Sequence, residues 1–595
     1  MKKKTEKKIK KVYFIRLFKL FLSDLKGCVL MMLLLIISGL MTGIAPRILG
    51  LCTDVLANGI KNLVIDWQDF FKWAAAAAIV YILQFLTKWI AGRLSASLAA
   101  NVAKDLRTKV EEKLWKMPLD FYDVKSNGDI MSRTTNDIDN IVDTLNKTGG
   151  DLIYYVLQLV CMVVMMLMLS WELALATLMI IPLSFCLVKV ITEKSRAQYK
   201  KQWAYMGELN GNVEESFKGH DLIKAYCLED EFAGHFDKQN AGLYSASFRA
   251  AAYSHTIQPF SRFFTNLNFV IVALFGAYRI IQGTMTIGEA QAFIQYSRQF
   301  QTPFTNVANM ISVLQSGLAS FERVCSLLDE KEECEGSGDV RQEYRMKGEI
   351  EFKDVSFRYL PDKPLIENLN LKVKPGQMVA IVGGTGAGKT TLVNLLERFY
   401  DIQGGSIILD GDTEIRDISR SALRHNIAMV LQDTWLYHGT IEDNLRYGLR
   451  KGRKITREEF LKACRDTFVD SFVSALPNGY DTVVNNEMSG ISAGEKQLLT
   501  ICRAFVSKPD ILILDEATSS VDTRTEAKIQ TALDRLREGR TSFVIAHRLS
   551  TIRNADIILV MDNGHIVEQG SHDELIGLNG RYAQLYRAQF AGMQI

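Results

Sequence analysis

Cysteine is sparse and unpaired in this sequence, with nine residues scattered over 595 and no C-x-x-C pair. That spacing argues against a disulfide framework and a zinc site, and leaves buried thiols in a reducing setting as the plain reading. Net charge is small as well. A balance of +3, from 70 basic and 67 acidic residues, implies no nucleic-acid partner. Acid is almost missing from the first 19 residues, where Lys2, Lys3, Lys4, Lys7, Lys8, Lys10, Lys11, Arg16 and Lys19 stand against Glu6 alone. No short apolar segment with an A-x-A-like site precedes the 18-residue apolar stretch Cys28 to Ala45, so a cytoplasmic flank is expected rather than a cleaved signal peptide.

What the chain does have is segregated. Hydrophobic residues make up 48% of it, near a soluble average. Yet long uncharged runs lie between about Lys26 and Phe321, and from Lys347 onward charge is spread as in a soluble α/β domain. Val12 to Lys26 mixes aromatic and aliphatic residues with Arg16, Lys19 and Lys26, as an interfacial helix on the membrane surface would. Six spanning helices are expected next, each judged against the about 20 apolar residues that cross about 30 Å of hydrocarbon. Cys28 to Cys52 is the first, interrupted by Pro46 and Arg47, and Trp73 to Thr87 is the core of the second. Leu152 to Trp171 is the third, and Glu172 turns it tightly into the fourth, Leu173 to Val188. The fifth centres on Phe263 to Tyr278, and the sixth runs from Ile287 toward Phe321.

Basic residues orient these spans. Nine Lys and Arg lie between Arg93 and Lys147 and nine more between Lys189 and Arg249, whereas the alternate loops are nearly bare. The positive-inside rule therefore places the long loops and both termini in the cytoplasm of a multi-pass plasma-membrane protein. The long loops keep helical periodicity, so the spans are expected to continue outward as rods. Arg47, Arg262, Arg279 and Arg298 would each cost about 2.5–3.5 kcal/mol facing lipid at the midplane, and are expected to face a watery interior. Gln295, Arg298, Gln299 and Asn306, among other polar residues up to Gln315, suit a helix lining a substrate cavity; the alternative is that they glue helices together or snorkel.

The polar stretch from Asp329 to Glu333, with Gly336-Ser337-Gly338, reads as a linker. A second domain begins near Gly348. Within it Gly383-Gly384-Thr385-Gly386-Ala387-Gly388-Lys389-Thr390 fits G-x-x-x-x-G-K-[ST] between an apolar strand, Met378 to Val382, and a helix opening at Thr391. Backbone N–H groups at such a junction point at phosphates, Lys389 would reach the β- and γ-phosphates, and the Thr390 hydroxyl would ligate Mg²⁺. Tyr359, 24 residues upstream, could stack on a base. Ile511 to Leu514 is an apolar strand ending in Asp515, suited to support the metal, and Glu516, suited to polarise the attacking water. Gln432 ends the strand Ile427 to Leu431 and could reach Mg²⁺ and sense the γ-phosphate, and His547 follows the strand Ser542 to Ala546 and could bridge the γ-phosphate and the catalytic carboxylate. Taken singly, each is equally a capping or strand-end polar residue.

With Ile491-Ser492-Ala493-Gly494-Glu495-Lys496-Gln497 added, the set resembles the ABC transporter superfamily, whose signature is L-S-G-G-Q. The order matches throughout: Tyr359, the phosphate loop with Thr391, Gln432, the signature, Asp515-Glu516, a D-loop-like turn ending at Asp522, and His547. Phe121-Tyr122-Asp123 with Gly128-Asp129, and Lys224-Ala225-Tyr226 with Glu229, resemble the coupling-helix loops of type IV exporters. The resemblance implies a half-transporter: a basic N-terminus and elbow (1–24), a helical membrane domain (25–328), a linker (329–347) and an α/β nucleotide-binding domain (348–595). It implies ATP and Mg²⁺ as cofactors and a second half as partner, with Ser492 and Gly494 closing on the partner's γ-phosphate. It also implies export of a small amphipathic or hydrophobic molecule; a lipid flippase and an ATP-gated channel use the same fold. Two departures stand out: Ala493 and Glu495 replace Gly and Gln, and Asn485-Asn486 replace the usual Gly-Glu. They favour a heterodimer over a homodimer. No peptidase-like domain precedes the first span, which speaks against a bacteriocin-processing exporter.

Overall fold

The structure, a computed structural model, describes residues 2–22, 24–333, 341–360, 362–384, 386–432, 434–449, 455–484, 490–515, 522–546 and 549–590. It divides into two compact units, one holding 1–115 and 127–330, the other 116–126 and 331–595.

The first unit is helical. A basic helix α1 (Lys2–Phe21) precedes α2 (Leu25–Asn62) and α3 (Trp67–Leu114). The short α4 (Leu119–Val124) clusters with the second unit. Then come α5 (Asn127–Thr134), α6 (Asn136–Thr148), α7 (Asp151–Leu169), α8 (Trp171–Lys218), the short α9 (His220–Tyr226), α10 (Glu229–Ile281), α11 (Ile287–Gln299) and α12 (Gln301–Leu328). At 1.5 Å per residue the 48 residues of α3 and of α8 and the 53 of α10 extend for about 70–80 Å, far beyond about 30 Å of hydrocarbon. The rods expected from the loop periodicity are therefore present.

Among the described residues, four helical runs are long and apolar enough to cross a membrane: Leu25–Asn62, Trp67–Leu114, Asn127–Leu169 and Glu229–Ile281. The fourth pass contributes an apolar stretch, Trp171–Ile180. The sixth, α11 with α12, carries too many glutamines and asparagines to meet that measure. Pro46 does not interrupt the first span, contrary to expectation. Proline removes the one backbone donor that would reach the Thr42 carbonyl, a single bond in a helix of 38 residues; separately, the buried Tyr296 hydroxyl donates at 2.6 Å to the Gly43 carbonyl and ties α11 to this turn. Close approach of α2 and α11 demands glycine at their crossing, since a Cβ on Gly288 would lie 1.9 Å from the Gly50 carbonyl oxygen.

Two of the four arginines are balanced by acids rather than by water alone. Arg47 pairs with Glu289 at 3.1 Å. Arg279 pairs with Glu172 and donates to Ser170 Oγ at 2.8 Å, which closes the turn between α7 and α8. Ser170 leaves the helical conformation and caps Leu173, so the tight turn sits two residues earlier than Glu172. Arg16 and Asp329 form an ion pair that pins α1 against the end of α12.

The second unit is α/β. Strands β1 (Ile350–Phe357), β2 (Ile366–Val373), β4 (Gly404–Leu409) and β5 (Thr413–Glu414) form an antiparallel sheet in the order β2-β1-β4-β5. The main sheet has the order β12-β11-β3-β10-β9-β6, where β3 is Met378–Gly383, β6 Ile427–Val430, β9 Ile511–Asp515, β10 Thr541–Ile545, β11 Ile557–Asp562 and β12 His565–Gly570. Its strands are parallel except β12, and they read as continuous apolar runs because both faces are covered. One core lies between the two sheets around α13 (Lys389–Leu396). Another holds α16 (Arg457–Asp466), α18 (Ala493–Ser507) and α19 (Thr523–Arg537) against the far face of the main sheet.

Candidate functional site

Parallel register decides which ends meet. Ile545 pairs with both Ile381 and Asp515, and Val430 pairs with Leu514, so the carboxyl ends of β3, β10, β9 and β6 lie level. Ligands of parallel α/β sheets bind outside those ends. There β3 runs into the glycine-rich loop, where Gly386 (φ 81°) and Gly388 (φ 96°) adopt left-handed backbone that residues bearing a Cβ resist. Helix α13 opens at Lys389, so the N–H groups of Lys389, Thr390 and Thr391 are free for an anion. Lys389 Nζ donates to the carbonyls of Gly383 at 2.7 Å and Gly384 at 2.9 Å, which holds its charge across the loop. Burial lowers the Lys389 pKa below the ordinary lysine value, against the opposing pull of Asp515 nearby. Ala387 is buried beside these groups, and Thr385 lies outside the described residues.

Tyr359 stands at the margin of the loop, half exposed, and donates to Thr391 Oγ1 at 3.2 Å. Its ring meets Phe357 and Tyr400 edge-on, both with centroids at 4.9 Å. Gln432, exposed, lies two residues past β6, on the same edge as Asp515. Tyr359, Gly383, Gly384, Gly386 to Thr391, Gln432 and Asp515 are thus brought together. Glu516 and His547 lie outside the described residues, as do Asn485 and Asn486.

The signature is built separately. Ser492 caps α18 in a capping box: Glu495 N–H donates to Ser492 Oγ at 3.3 Å, and Glu495 Oε2 accepts from both the Ser492 N–H and its hydroxyl at 2.8 Å. The residue that departs from the family pattern is therefore the one that holds Ser492, and Gly494 is buried beneath them. Asp522 caps α19 by accepting from Thr525 N–H at 3.0 Å, and hydrogen bonds from the Thr525 side chain and then its N–H hold the carboxyl below the usual range.

Two residues that sequence reasoning missed, Tyr400 and Glu333, tie the α4 segment to this domain. Tyr400 donates to the Asp123 carboxylate on α4. Glu333 accepts from Arg420 at 2.6 Å and Arg424 at 2.7 Å, while its N–H donates to the Lys116 carbonyl at 2.7 Å, just before α4. Burial works to raise the Glu333 carboxyl, but hydrogen bonds and charges from Arg424 and Arg420 prevail and hold it below the usual range. Part of the expected linker is thus clamped. An acid placed between two patterned regions carries no signal of such partners, because they come from a sequence-distant helix, Arg420–Arg424, and from the chain before α4.

In the first unit a cavity of about 230 Å³ lies among α8, α10, α11 and α12. Ser297, Gln301, Thr305 and Asn309 line it, whereas Gln295, Arg298, Gln299 and Asn306 do not. Arg298 is exposed and stacks on Phe269, its guanidinium 4.4 Å from the ring centroid. The polar positions of α8 and α10, Thr177, Ser261, Thr265 and Asn268, were the overlooked signal.

Comparison with known proteins matches residues 28–304 to the ABC transporter transmembrane region and 366–519 to the ABC transporter family. The chain is 43% identical to the fatty acid ABC transporter ATP-binding/permease protein of Mycobacterium bovis, over 92% of this chain and 91% of that one. It is 39% identical to an uncharacterized ABC transporter ATP-binding protein, YfiC, of Bacillus subtilis, over 96% and 93%. Similarity to the ATP-dependent lipid A-core flippase of Syntrophus aciditrophicus is 34%, over 91% and 90%.

Proposed function

This chain belongs to the ABC transporter family and couples ATP hydrolysis to transport across a membrane, and we propose that it is one half of an exporter of lipid-like amphipaths. Its termini and long helical loops face the cytoplasm. The observation that carries the coupling is the Tyr400 to Asp123 hydrogen bond: one aromatic touches both Tyr359 at the nucleotide margin and α4, which sits in the chain between two membrane passes. The names of two relatives, a fatty acid transporter and a lipid A-core flippase, favour a lipid-like substrate and keep flipping between leaflets as the second reading.

In this reading Tyr359 stacks on adenine, while the loop N–H groups and Lys389 hold the phosphates. The Thr390 hydroxyl, Gln432 amide oxygen and Asp515 carboxylate are hard oxygen donors, which suits Mg²⁺ with its preference for one or two protein oxygens plus phosphates and water. The ion would neutralise charge developing on the phosphates. Glu516 acts as general base toward water, and His547 orients the γ-phosphate. Ser492, Gly494 and Asp522 serve the partner's nucleotide, so the complete unit is a pair. ATP favours closure only by its differential affinity for the closed state.

The test is reconstitution of the full chain, alone and with candidate second halves, in liposomes carrying labelled fatty acids or phospholipids. ATP-dependent movement of label, lost with Glu516→Gln, supports the reading. An ATP-gated passive conductance without uphill movement would replace it with a channel.

A further inference from the structure

Two residues that line the cavity among α8, α10, α11 and α12 each carry a buried side-chain atom without a hydrogen-bond partner, which a small turn of the side chain would present to the cavity. Asn268, 5% exposed, donates through Nδ2 to Ser297 Oγ at 3.0 Å, but its Oδ1 is buried without a partner. Thr177, 1% exposed, likewise has a buried hydroxyl with no partner, although helical threonines commonly bond back to their own backbone. Leaving such atoms unpaired costs about 1–3 kcal/mol each. The neighbouring groups are already engaged: Gln301 accepts from Thr265 and donates to Ser261. Phe264, Phe300 and Phe304 complete the wall. Among the described residues that line the cavity none is charged.

We propose that this cavity binds the uncharged, hydrogen-bond-donating head of a single-chain amphipath, with its hydroxyl donating to Asn268 Oδ1 and accepting from Thr177. An ionised head would enter a low-dielectric pocket with no countercharge, which is far more costly than entering as a neutral group. The volume, about 230 Å³, lies below the about 300–1,000 Å³ that encloses a drug-sized ligand, so it takes the head and the first carbons while the chain lies along the aromatic wall. A monoacylglycerol and a protonated fatty acid both supply this chemistry. The inference rests on the lipid-like substrate proposed above and adds a selectivity to it.

The experiment uses the full chain in nanodiscs, crosslinked to a diazirine-bearing monoacylglycerol. Unlabelled monoacylglycerol should compete equally at pH 5.5 and 8.5, oleic acid should compete at least tenfold better at pH 5.5, and hexadecyl sulfate and hexadecyltrimethylammonium should compete at least thirtyfold more weakly at both. Thr177→Val with Asn268→Leu should weaken labelling about tenfold or more, with binding of a fluorescent ATP analogue unchanged as the check on folding. Equal competition by the permanently charged amphipaths, or undiminished labelling of a double variant that still binds nucleotide, overturns the proposal. The export reading fails separately: labelling with the expected selectivity but no ATP-dependent movement in liposomes removes transport and leaves the site, whereas transport untouched by the double variant removes the site and leaves transport.

Discussion

Single side chains set the chemistry at the nucleotide. Lys389 is held by two carbonyls of its own loop, so a phosphate has to draw the ammonium from neutral acceptors to an anion, a stronger hydrogen bond. Lys389→Ala is expected to weaken ATP binding at least tenfold by fluorescence titration, whereas Glu516→Gln should bind ATP normally and lose nearly all turnover. Glu495 offers a finer case. Glutamine could make the same capping box with Ser492 without a charge, whereas a carboxylate brought to about 4 Å from a γ-phosphate by the proposed pairing would cost on the order of 1–4 kcal/mol. Glu495→Gln should therefore raise the ATPase rate of the assembled pair several-fold; an unchanged rate would show that this charge does not limit closure.

Glu397 adds a pH dependence at the same scale. It is 6% exposed, its Oε2 lacks a hydrogen-bond partner, and burial pushes its carboxyl up to about 7 against the opposing charge of Arg424. A carboxyl raised above its unfolded value contributes stability that is full below about 4.3 and lost as pH rises through about 7. The loss by pH 8 is on the order of 3 kcal/mol. Glu397→Gln should flatten the fall in thermal midpoint between pH 5 and 8, measured by intrinsic fluorescence of the full chain. A parallel fall in both proteins would locate the pH dependence elsewhere.

At the scale of elements, the junction around α4 is the part worth perturbing. Tyr400 binds Asp123, and burial together with that carboxylate raises its hydroxyl, keeping it a donor at any physiological pH. Glu333 ties the chain after α12 to Arg420 and Arg424, and its backbone to Lys116, three residues before α4. Tyr400→Phe keeps the ring against Tyr359 and removes one hydrogen bond. Its expected effect is a loss of substrate stimulation several times larger than the loss of unstimulated ATPase. Glu333→Gln takes one of two carboxylates from the buried Arg420, which keeps Asp401, and the carboxylate partner from the half-buried Arg424, and should cost on the order of 1–3 kcal/mol, seen as a lower thermal midpoint. Equal loss of stimulated and unstimulated rates in Tyr400→Phe would argue that the tyrosine only supports Tyr359.

For the whole molecule the open matter is the second half. A homodimer would carry the Ala493 and Glu495 departures at both sites, whereas a heterodimer confines them to one and lets this chain's phosphate loop meet the partner's signature. Purified alone, the chain should show little ATPase activity, and co-expression with the right second half should restore it. A stable homodimer with brisk, substrate-stimulated hydrolysis would defeat that expectation.

Sequence alone determined what depends on local pattern: the apolar runs of the membrane passes, the glycine loop between a strand and a helix, the strand ending in Asp515, and the order of motifs that resembles one family. Such features are written in neighbouring residues because a helix period, a turn or a strand end is a local matter. Tertiary structure decided what depends on residues far apart in the chain. Pro46 lies inside a continuous helix that packs on α11, where Tyr296, 250 positions later, donates to the Gly43 carbonyl one turn before it. Glu333, within an apparent linker, is clamped by arginines that follow another strand, and Glu495 proves to be a cap as well as a departure. The polar cavity lies one helical face away from Gln295, Arg298, Gln299 and Asn306, because which side of a mixed polar helix faces its neighbours is set by packing against α8 and α10 and not by its own composition.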